Sequence, residues 1–157
     1  MKKEEKAYIA GFLDGDGSIM LQLKPRKIVS FGFRVRTIIC FYQDSRYKQG
    51  LSWIRRKLRI GHLSTRRDGI TELRIEGHKR VKQILRELNP FIIFKKKQVE
   101  IILEAISMME KNLTPREFLE VCKLSDKISS INYATTRKKY NYDFVKKRFI
   151  EKGLIPP

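Results

Sequence analysis

The segment at residues 8–18, YIAGFLDGDGS, constrains this chain more than any other. An apolar run with small residues leads into two carboxylates, Asp14 and Asp16, which alternate with Gly15 and Gly17. The helix dipole places partial negative charge at a helix C-terminus, so acids there cost about 0.3–1 kcal/mol each unless a cation lies between them. The last helical carbonyls also lack intrahelical partners. The pattern therefore fits either a helix end with solvated acids or an oxygen ligand set for Mg2+ or Ca2+.

The charge of the chain favours a polyanionic partner. Lys and Arg number 35 against 17 Asp and Glu, a net charge of +18 over 157 residues. Between residues 18 and 75 the only acids are Asp44, Asp68 and Glu72, whereas residues 99–126 are net acidic. A localised basic surface suits nucleic acid before a membrane. An apolar content of 41% indicates a packed core and excludes a disordered basic chain.

Length and composition predict one folded domain spanning residues 1–157, because no Gly/Ser-rich or Pro-rich linker divides the chain. The sequence contains no apolar run of about 18 residues, so we expect no membrane span. The N-terminus also lacks the apolar region of a signal peptide. Cys40 and Cys122 are too few for a disulfide framework and lack zinc-site spacing. We therefore expect an intracellular protein without a membrane partner, and the compartment stays open.

Hydrophobic periodicity and turn residues predict the secondary structure. An Asp68-Gly69 turn is a strong hairpin signal between two alternating segments. Helices are predicted at 4–14, 46–58, 79–88, 95–111, 115–130 and 142–152, and strands at 19–24, 31–42, 61–66 and 71–75. The resulting order is α-β-β-α-β-β-α followed by extra C-terminal helices. This is an α+β fold with a four-stranded antiparallel sheet.

The strands have one apolar face and one basic or polar face. Ile19, Leu21 and Leu23 share a face, as do Phe33, Val35, Ile39 and Phe41. The opposite face carries Met20, Gln22, Lys24, Arg34, Arg36, Ile38 and Cys40. We expect helices to cover the apolar face. The other face is then either merely solvated, as is common for antiparallel sheets, or a recognition surface, which its scarcity of acids favours.

Residues 9–17, IAGFLDGDG, resemble the LAGLIDADG motif of homing endonucleases. Similarity to that family extends to Gln22-Leu23-Lys24-Pro25, Leu88-Asn89-Pro90-Phe91, Phe118 to Cys122, and Thr136-Arg137-Lys138. The motif occurs once, so the chain resembles the single-motif, homodimeric class. Ile9 replaces the first Leu of the motif and Gly15 replaces an Ala, and both changes are compatible with packing.

The resemblance implies a homodimer whose motif helices cross at a two-fold axis. Gly11 and Gly15 lie four residues apart on one helix face, which independently suggests close helix–helix approach. Ala7 or Ala10 would complete this dimer interface. The two Asp16 carboxylates would then meet beneath the DNA, each near one scissile phosphate.

The resemblance also implies metal-dependent hydrolysis of both DNA strands at a long pseudo-palindromic site, which promotes intron homing. Asp16 and the backbone of Gly15 would hold Mg2+, and Ca2+ would occupy the site without supporting cleavage. Gln43 matches the water-positioning residue and Lys95 the basic residue near the phosphate, while Asp14 is expected to be structural. Which of Arg46, Tyr47 and Lys48 completes the active site stays open.

The open sheet face would form a saddle on double-stranded DNA. Arg and Lys can bond guanine and Gln can bond adenine. Side chains on or near this face, together with a basic C-terminal segment, are the candidate DNA-binding residues: Gln22, Lys24, Arg26, Arg34, Arg36, Arg66, Glu72, Arg74, Arg137, Lys138 and Lys139. Two alternatives remain on the same scaffold, an RNA maturase that assists intron splicing and a DNA-binding regulator without catalysis.

Overall fold

The computed structural model of the protein describes residues 1–132 and 139–157. Its helices and strands follow the predicted order and add two short 3-10 turns. The elements are α1 (Lys3–Asp16), β1 (Gly17–Pro25), β2 (Phe33–Asp44), a 3-10 turn (Ser45–Tyr47), α2 (Gln49–Leu58), β3 (His62–Thr65), β4 (Ile70–Glu76), α3 (His78–Leu88), a second 3-10 turn (Asn89–Phe91), α4 (Lys96–Met109), α5 (Pro115–Ile131) and α6 (Tyr142–Glu151). The predicted α-β-β-α-β-β-α unit with extra C-terminal helices is confirmed.

The four strands form one antiparallel sheet in the order β1-β2-β4-β3. The β3–β4 connection is the tight turn that Asp68-Gly69 predicts. Gly69 adopts φ +81°, a left-handed conformation that glycine accepts without steric cost, and the N–H of Arg66 donates to the carbonyl of Ile70 at 2.7 Å. This turn fixes the register, so that Leu63 pairs with Leu73 and Ser64 pairs with Glu72.

The core lies between the apolar face of the sheet and the helices. Ile19, Leu21, Ile39 and Phe41 are fully or almost fully buried there against helical side chains. Burying one such side chain contributes roughly 1.5–3 kcal/mol. Helix α5 is also fastened to the edge strand by polar contacts, because the Ser125 hydroxyl donates to the carbonyl of Leu21 at 2.8 Å.

The opposite face of the sheet is less open than the strand pattern predicts. Ile38 and Cys40, at its centre, are both 0% exposed. They lie in register between Met20 and Ser18 on β1 and Glu76 and Arg74 on β4, whose side chains share this face. The long neighbouring side chains therefore cover a small apolar strip, as arginine stems do when their charged heads reach solvent.

Several element boundaries differ from the predicted ones. The helix predicted at 46–58 is divided, because the Asp44 carboxylate accepts the backbone N–H of Arg46 at 2.8 Å and caps a separate 3-10 turn. Helix α1 continues to Asp16, so both motif acids lie inside its last turn. Gly17 allows the chain to turn sharply from α1 into β1, since an added Cβ would lie 2.5 Å from Cδ1 of Leu13. Within the described residues, no helix has the length and hydropathy to cross a membrane.

Candidate active site

The carboxylate of Asp14 holds the segment that leads into helix α4. Its Oδ2 accepts the backbone N–H groups of Ile93 at 2.5 Å and Phe94 at 3.2 Å, and its Oδ1 accepts that of Lys95 at 3.0 Å. The side chain is buried. A buried carboxylate with three donors is committed to the fold rather than available to a ligand. The expectation of a structural Asp14 agrees with these contacts.

The side chain of Lys95 returns to the same helix end. Its Nζ donates to the backbone carbonyl of Asp14. Burial lowers the pKa of Lys95, and the negative charges of Asp14 and Asp16 partly oppose this shift. The last turn of α1 has no basic residue of its own, so Lys95 supplies the cation that a helix C-terminus favours. The structure therefore brings Lys95 close to Asp16.

Asp16 differs from Asp14 in exposure and in bonding. It is exposed, and within residues 1–132 and 139–157 its carboxylate has no hydrogen-bond partner. Carboxylate and carbonyl oxygens are the ligands that a hard divalent cation prefers, and the terminal carbonyls of a helix lack intrahelical partners. The carboxylate of Asp16 and the carbonyl of Gly15 therefore fit such an ion. No three His, Cys, Asp or Glu side chains in the described part of the chain gather into a complete site.

Gln43 lies near the end of β2 and lines a cavity of about 580 Å³ beside α1. Its Oε1 accepts the backbone N–H of Asp44 at 2.8 Å, which leaves the amide donors of the side chain for other partners. Tyr8, Phe12 and Trp53 line the same cavity. Lys95 lines a different cavity of about 1000 Å³, so Gln43 and Lys95 do not line the same cavity.

The three candidates to complete the active site, Arg46, Tyr47 and Lys48, have different surroundings. Arg46 is bound to the carboxylate of Asp44 through both Nε and Nη2, and its hydrogen bonds lower the pKa of Asp44 to about 2. Tyr47 is exposed and lines the cavity of Gln43. Lys48 is exposed at the start of α2. Tyr47 is thus the one of the three that shares a cavity with Gln43.

The exposed face of α1 carries small residues. Ala7, Gly11 and Gly15 are exposed, and a Cβ added at either glycine would meet nothing within 4 Å. Ala10 is 0% exposed, because it packs into the core of its own chain. The expectation that Ala10 contacts a second subunit is therefore wrong. Beyond the C-terminal end of α1, Ile93 and Phe94 are 74% and 80% exposed.

Comparisons with known proteins support the family resemblance. The family model for LAGLIDADG endonuclease matches residues 9–105, which include the C-terminal part of helix α1, the whole sheet and Lys95. The chain belongs to the LAGLIDADG endonuclease family. It is 31% identical to DNA endonuclease I-CreI of Chlamydomonas reinhardtii over 137 residues, which cover 87% of this chain and 83% of that protein.

Solved structures have the same fold as this LAGLIDADG endonuclease. The homing endonuclease I-CvuI, crystallised with the I-CreI target in 2 mM Mg and with its DNA not cleaved, matches with a TM-score of 0.90 at 24% identity, over 96% of both chains. Meganuclease I-SmaMI, bound to uncleavable DNA, matches with a TM-score of 0.74 at 20% identity. That match covers 83% of this chain but 45% of the I-SmaMI chain.

The sheet of this LAGLIDADG endonuclease places most candidate DNA-binding residues on one side. Even-numbered positions of β1, β2 and β4 share the face opposite the core, and the strand register aligns them in rows. Residues on or beside this face are Gln22, Lys24, Arg26, Arg34, Arg36, Arg66, Glu72 and Arg74. Lys139 is exposed, with its Nζ 5.6 Å from the ring centroid of Tyr140. Arg137 and Lys138 lie outside the described residues.

Sequence reasoning missed Glu76, which lies among these side chains. The carboxylate accepts Nη2 of Arg36 at 2.5 and 2.6 Å and Nε of Arg74 at 2.5 Å. The hydrogen bonds from Arg36 contribute most to lowering the pKa of Glu76 to about 2. The sequence signal that could have identified Glu76 is its position two residues after Arg74 on the same strand. The link to Arg36 depends on the pairing of β2 with β4.

Proposed function

We propose that two copies of this chain form a homodimer that cleaves both strands of a long, pseudo-palindromic DNA site, with Mg2+ as the cofactor. The observation that carries the proposal is an exposed Asp16 carboxylate within electrostatic reach of Lys95, whose ammonium group is held at the end of the motif helix by the carbonyl of Asp14. A protein that only binds DNA gains nothing from a bare carboxylate facing phosphates. The arrangement therefore favours the endonuclease over the regulator.

Asp16 and the carbonyl of Gly15 would hold the divalent cation. When bound, such an ion lowers the pKa of water and offsets charge on the attacking and leaving oxygens of a phosphodiester. The chain offers two oxygen ligands, and Mg2+ commonly keeps several waters and substrate phosphate oxygens among its ligands. The absence of a complete side-chain cage among the described residues is consistent with an ion that also needs DNA.

Lys95 would stabilise the negative charge that accumulates on the phosphate oxygens during hydrolysis. Its ammonium group is held by the carbonyl of Asp14, and Asp14 in turn holds the backbone of Lys95. This double attachment reduces the freedom of a long side chain before DNA binds. Gln43 would position water through its free amide donors, and Tyr47 would contribute from the same cavity.

The sheet face would contact DNA in the major groove through Arg, Lys and Gln side chains. Arg137, Lys138 and Lys139 would bind the DNA backbone. The supporting observations are the net charge of +18 and the location of the basic side chains on the uncovered side of the sheet. Typically half or more of such contacts go to phosphates and sugars, so only some of these residues would read bases.

The homodimer would form through α1. Each chain has one motif, and a double-strand break requires two hydrolyses. The exposed small residues Ala7, Gly11 and Gly15 allow another helix to approach closely, and the exposed Tyr8 and Phe94 add apolar area beside them. A fold match to less than half of the longer I-SmaMI chain is also consistent with a single unit that acts in pairs.

The test uses DNA recovered by binding selection from a randomised duplex pool. The purified chain, incubated with the selected duplexes, should make double-strand breaks with Mg2+ and none with EDTA, and should bind without cleaving with Ca2+. Binding without cleavage in Mg2+, Mn2+ and Ca2+ alike would contradict the nuclease proposal and favour a DNA-binding regulator.

A further inference from the structure

The proposed DNA-binding face contains one carboxylate that joins two arginines from different strands. Arg36 lies on β2, and Glu76 and Arg74 lie on β4. The side chains of Arg36, Glu76 and Arg74 remain 31%, 36% and 28% exposed, so the cluster is neither buried in the core nor free in solvent. A carboxylate on a surface that meets DNA phosphates is electrostatically unfavourable by itself. Its presence there needs a physical reason.

The hydrogen bonds leave part of each guanidinium unused. Arg36 gives only Nη2 to Glu76, which leaves its Nη1 and Nε donors free of that carboxylate. Arg74 gives Nε to Glu76, and its Nη1 lies 3.7 Å from the Sγ of Cys40. A guanidinium has five N–H donors in a rigid fork. Each arginine therefore keeps donors that can reach a base edge.

The apolar strip beneath the cluster supports the same geometry. Ile38 and Cys40 are fully buried on this face, directly opposite Glu76 and Arg74 in the β2–β4 register. Arginine stems pack well over such a surface while their heads reach solvent. Glu76 restrains the head of each side chain, and the apolar strip offers the stems a surface to pack against.

We propose that Glu76 is a specificity-determining positioning residue, which orients Arg36 and Arg74 so that each reads a guanine in the major groove of the DNA target. The inference rests on the proposed function. Arginine pairs its donors with O6 and N7 of guanine, and this is the commonest specific contact in the major groove. Glu76 contributes by orientation and need not touch a base.

The shared carboxylate also limits the spacing of the two guanines. Both arginines place a nitrogen within 2.5–2.6 Å of one carboxyl group, so their heads are close together. Successive base pairs are separated by about 3.4 Å along the axis. The two guanines in each half-site should therefore belong to base pairs that are adjacent or separated by one. They can lie on the same or opposite strands.

The charge state of Glu76 suits this role near neutral pH. Its pKa is lowered to about 2, chiefly by hydrogen bonds from Arg36, so the carboxylate stays ionised. The three groups together carry one positive charge, which keeps the cluster compatible with DNA. Free arginines would bind phosphates more readily and discriminate bases less well. The carboxylate thus lowers the electrostatic affinity of the cluster for DNA and holds the two arginines in a defined geometry.

The test compares base preferences of the full-length protein and its Glu76→Gln variant by selection from a randomised duplex pool, with Ca2+ as the divalent cation. The wild-type protein should prefer two guanines per half-site, and replacing either should weaken binding roughly 5- to 100-fold. In the variant, preference at those two positions should fall to less than about threefold. Affinity for unselected duplex DNA should stay equal or rise.

Glu110→Gln is the matched control, because Glu110 is likewise bound to a basic side chain, with Nζ of Lys82 at 2.6 Å, but lies at the end of α4 outside the proposed DNA-binding face. It removes the same charge and should leave the preference for the two guanines intact. If Glu76→Gln keeps both preferences, the positioning role is excluded, and if it weakens all positions equally, Glu76 only supports the fold. Failure of the wild-type protein to select or cleave any duplex would instead overturn the proposed function.

Discussion

At the scale of single residues, the two acids of the motif have different surroundings although they are two positions apart. Asp14 is buried and accepts three backbone N–H groups, whereas Asp16 is exposed and lies within electrostatic reach of Lys95. Hydrogen bonds to charged groups contribute about 1.5–3 kcal/mol each, and a buried group left without partners costs a similar amount. Neutralising Asp16 and neutralising Asp14 should therefore have different effects on the protein.

Asp16→Asn should abolish cleavage and leave both folding and DNA binding intact, because the side chain makes no hydrogen bond within the described residues and would face phosphates in the proposed complex. The melting temperature should stay within about 2 °C of wild type, since surface changes usually alter stability by less than 0.5 kcal/mol. Calorimetry, DNA affinity in Ca2+ and cleavage in Mg2+ measure the three properties. Retained cleavage would remove Asp16 from the site.

Asp14→Asn should destabilise the protein, because an amide group cannot accept all three N–H groups with the strength of a carboxylate. A loss of about 2–3 kcal/mol of unfolding free energy is expected, which lowers the melting temperature by roughly 4–12 °C for a chain of this size. Cleavage should also fall at temperatures where the variant is folded, because Lys95 loses its anchor. A melting temperature equal to that of wild type would contradict this account of Asp14.

The lowered pKa of Lys95 predicts how the cleavage rate depends on pH. Burial lowers the pKa of Lys95 below its usual value of 10.5, so as the pH rises its charge is lost before that of an ordinary lysine. The cleavage rate should decline on the alkaline side below pH 10.5. In Lys95→Arg, which stays protonated, the residual activity should decline at higher pH than in the wild-type protein. An unchanged alkaline limb would exclude Lys95 as its origin.

At the scale of elements, helix α1 has one face committed to the core and one face available to a partner. Ile9, Ala10 and Leu13 are buried, whereas Gly11 and Gly15 are exposed with open space above them. Glycine inside a helix costs about 1 kcal/mol relative to alanine. The isolated chain therefore gains nothing from either glycine, which fits close approach of another helix.

Gly11→Leu should separate the stability of the chain from dimerisation. A Cβ added at Gly11 meets nothing within 4 Å among the described residues, so the monomer should be equally or more stable, while the dimer should dissociate. Sedimentation and thermal unfolding measure the two quantities. Gly17→Leu is the contrasting variant, because a Cβ at Gly17 would lie 2.7 Å from the carbonyl of Leu13 and should destabilise the chain itself. A dimeric Gly11→Leu protein would contradict the proposed interface.

Much of the element order could be predicted from local sequence. Alternation of Ile19, Leu21 and Leu23 fixes the buried face of β1, and Asp68-Gly69 fixes the hairpin. The divided helix after β2 could not be predicted, because it depends on one side-chain bond from Asp44. Burial of Ile38 and Ala10 also escaped prediction, since it follows from which elements cover each face rather than from local pattern.

The same distinction applies to the candidate site. The motif and the family resemblance were sufficient to single out Asp16 and Lys95 as candidates, and the structure brings those two together. The Asp14 clamp joins positions 79 to 81 residues apart, and Glu76 is linked to Arg36 across 40 residues. Such contacts depend on tertiary pairing and leave no periodic signal along the chain.

At the scale of the whole molecule, electrostatics should dominate the salt dependence of DNA binding. Each chain carries a net charge of +18, and a protein that contacts 6–10 phosphates loses about 10³- to 10⁵-fold in affinity between 50 and 200 mM salt. Fluorescence anisotropy should show a logarithmic slope of about −6 or steeper. Lys139→Gln should make the slope shallower by about one per subunit with the preferred sequence unchanged. A slope near zero would exclude a phosphate-binding saddle.

In the proposed homodimer, each subunit supplies one Asp16 and cleaves one strand. A heterodimer of wild-type and Asp16→Asn chains, purified through two different affinity tags, tests this directly when it is incubated with selected duplex DNA and Mg2+. This heterodimer should nick a single strand, while the wild-type homodimer should break both. A double-strand break by the heterodimer, or by a monomeric chain, would contradict this prediction.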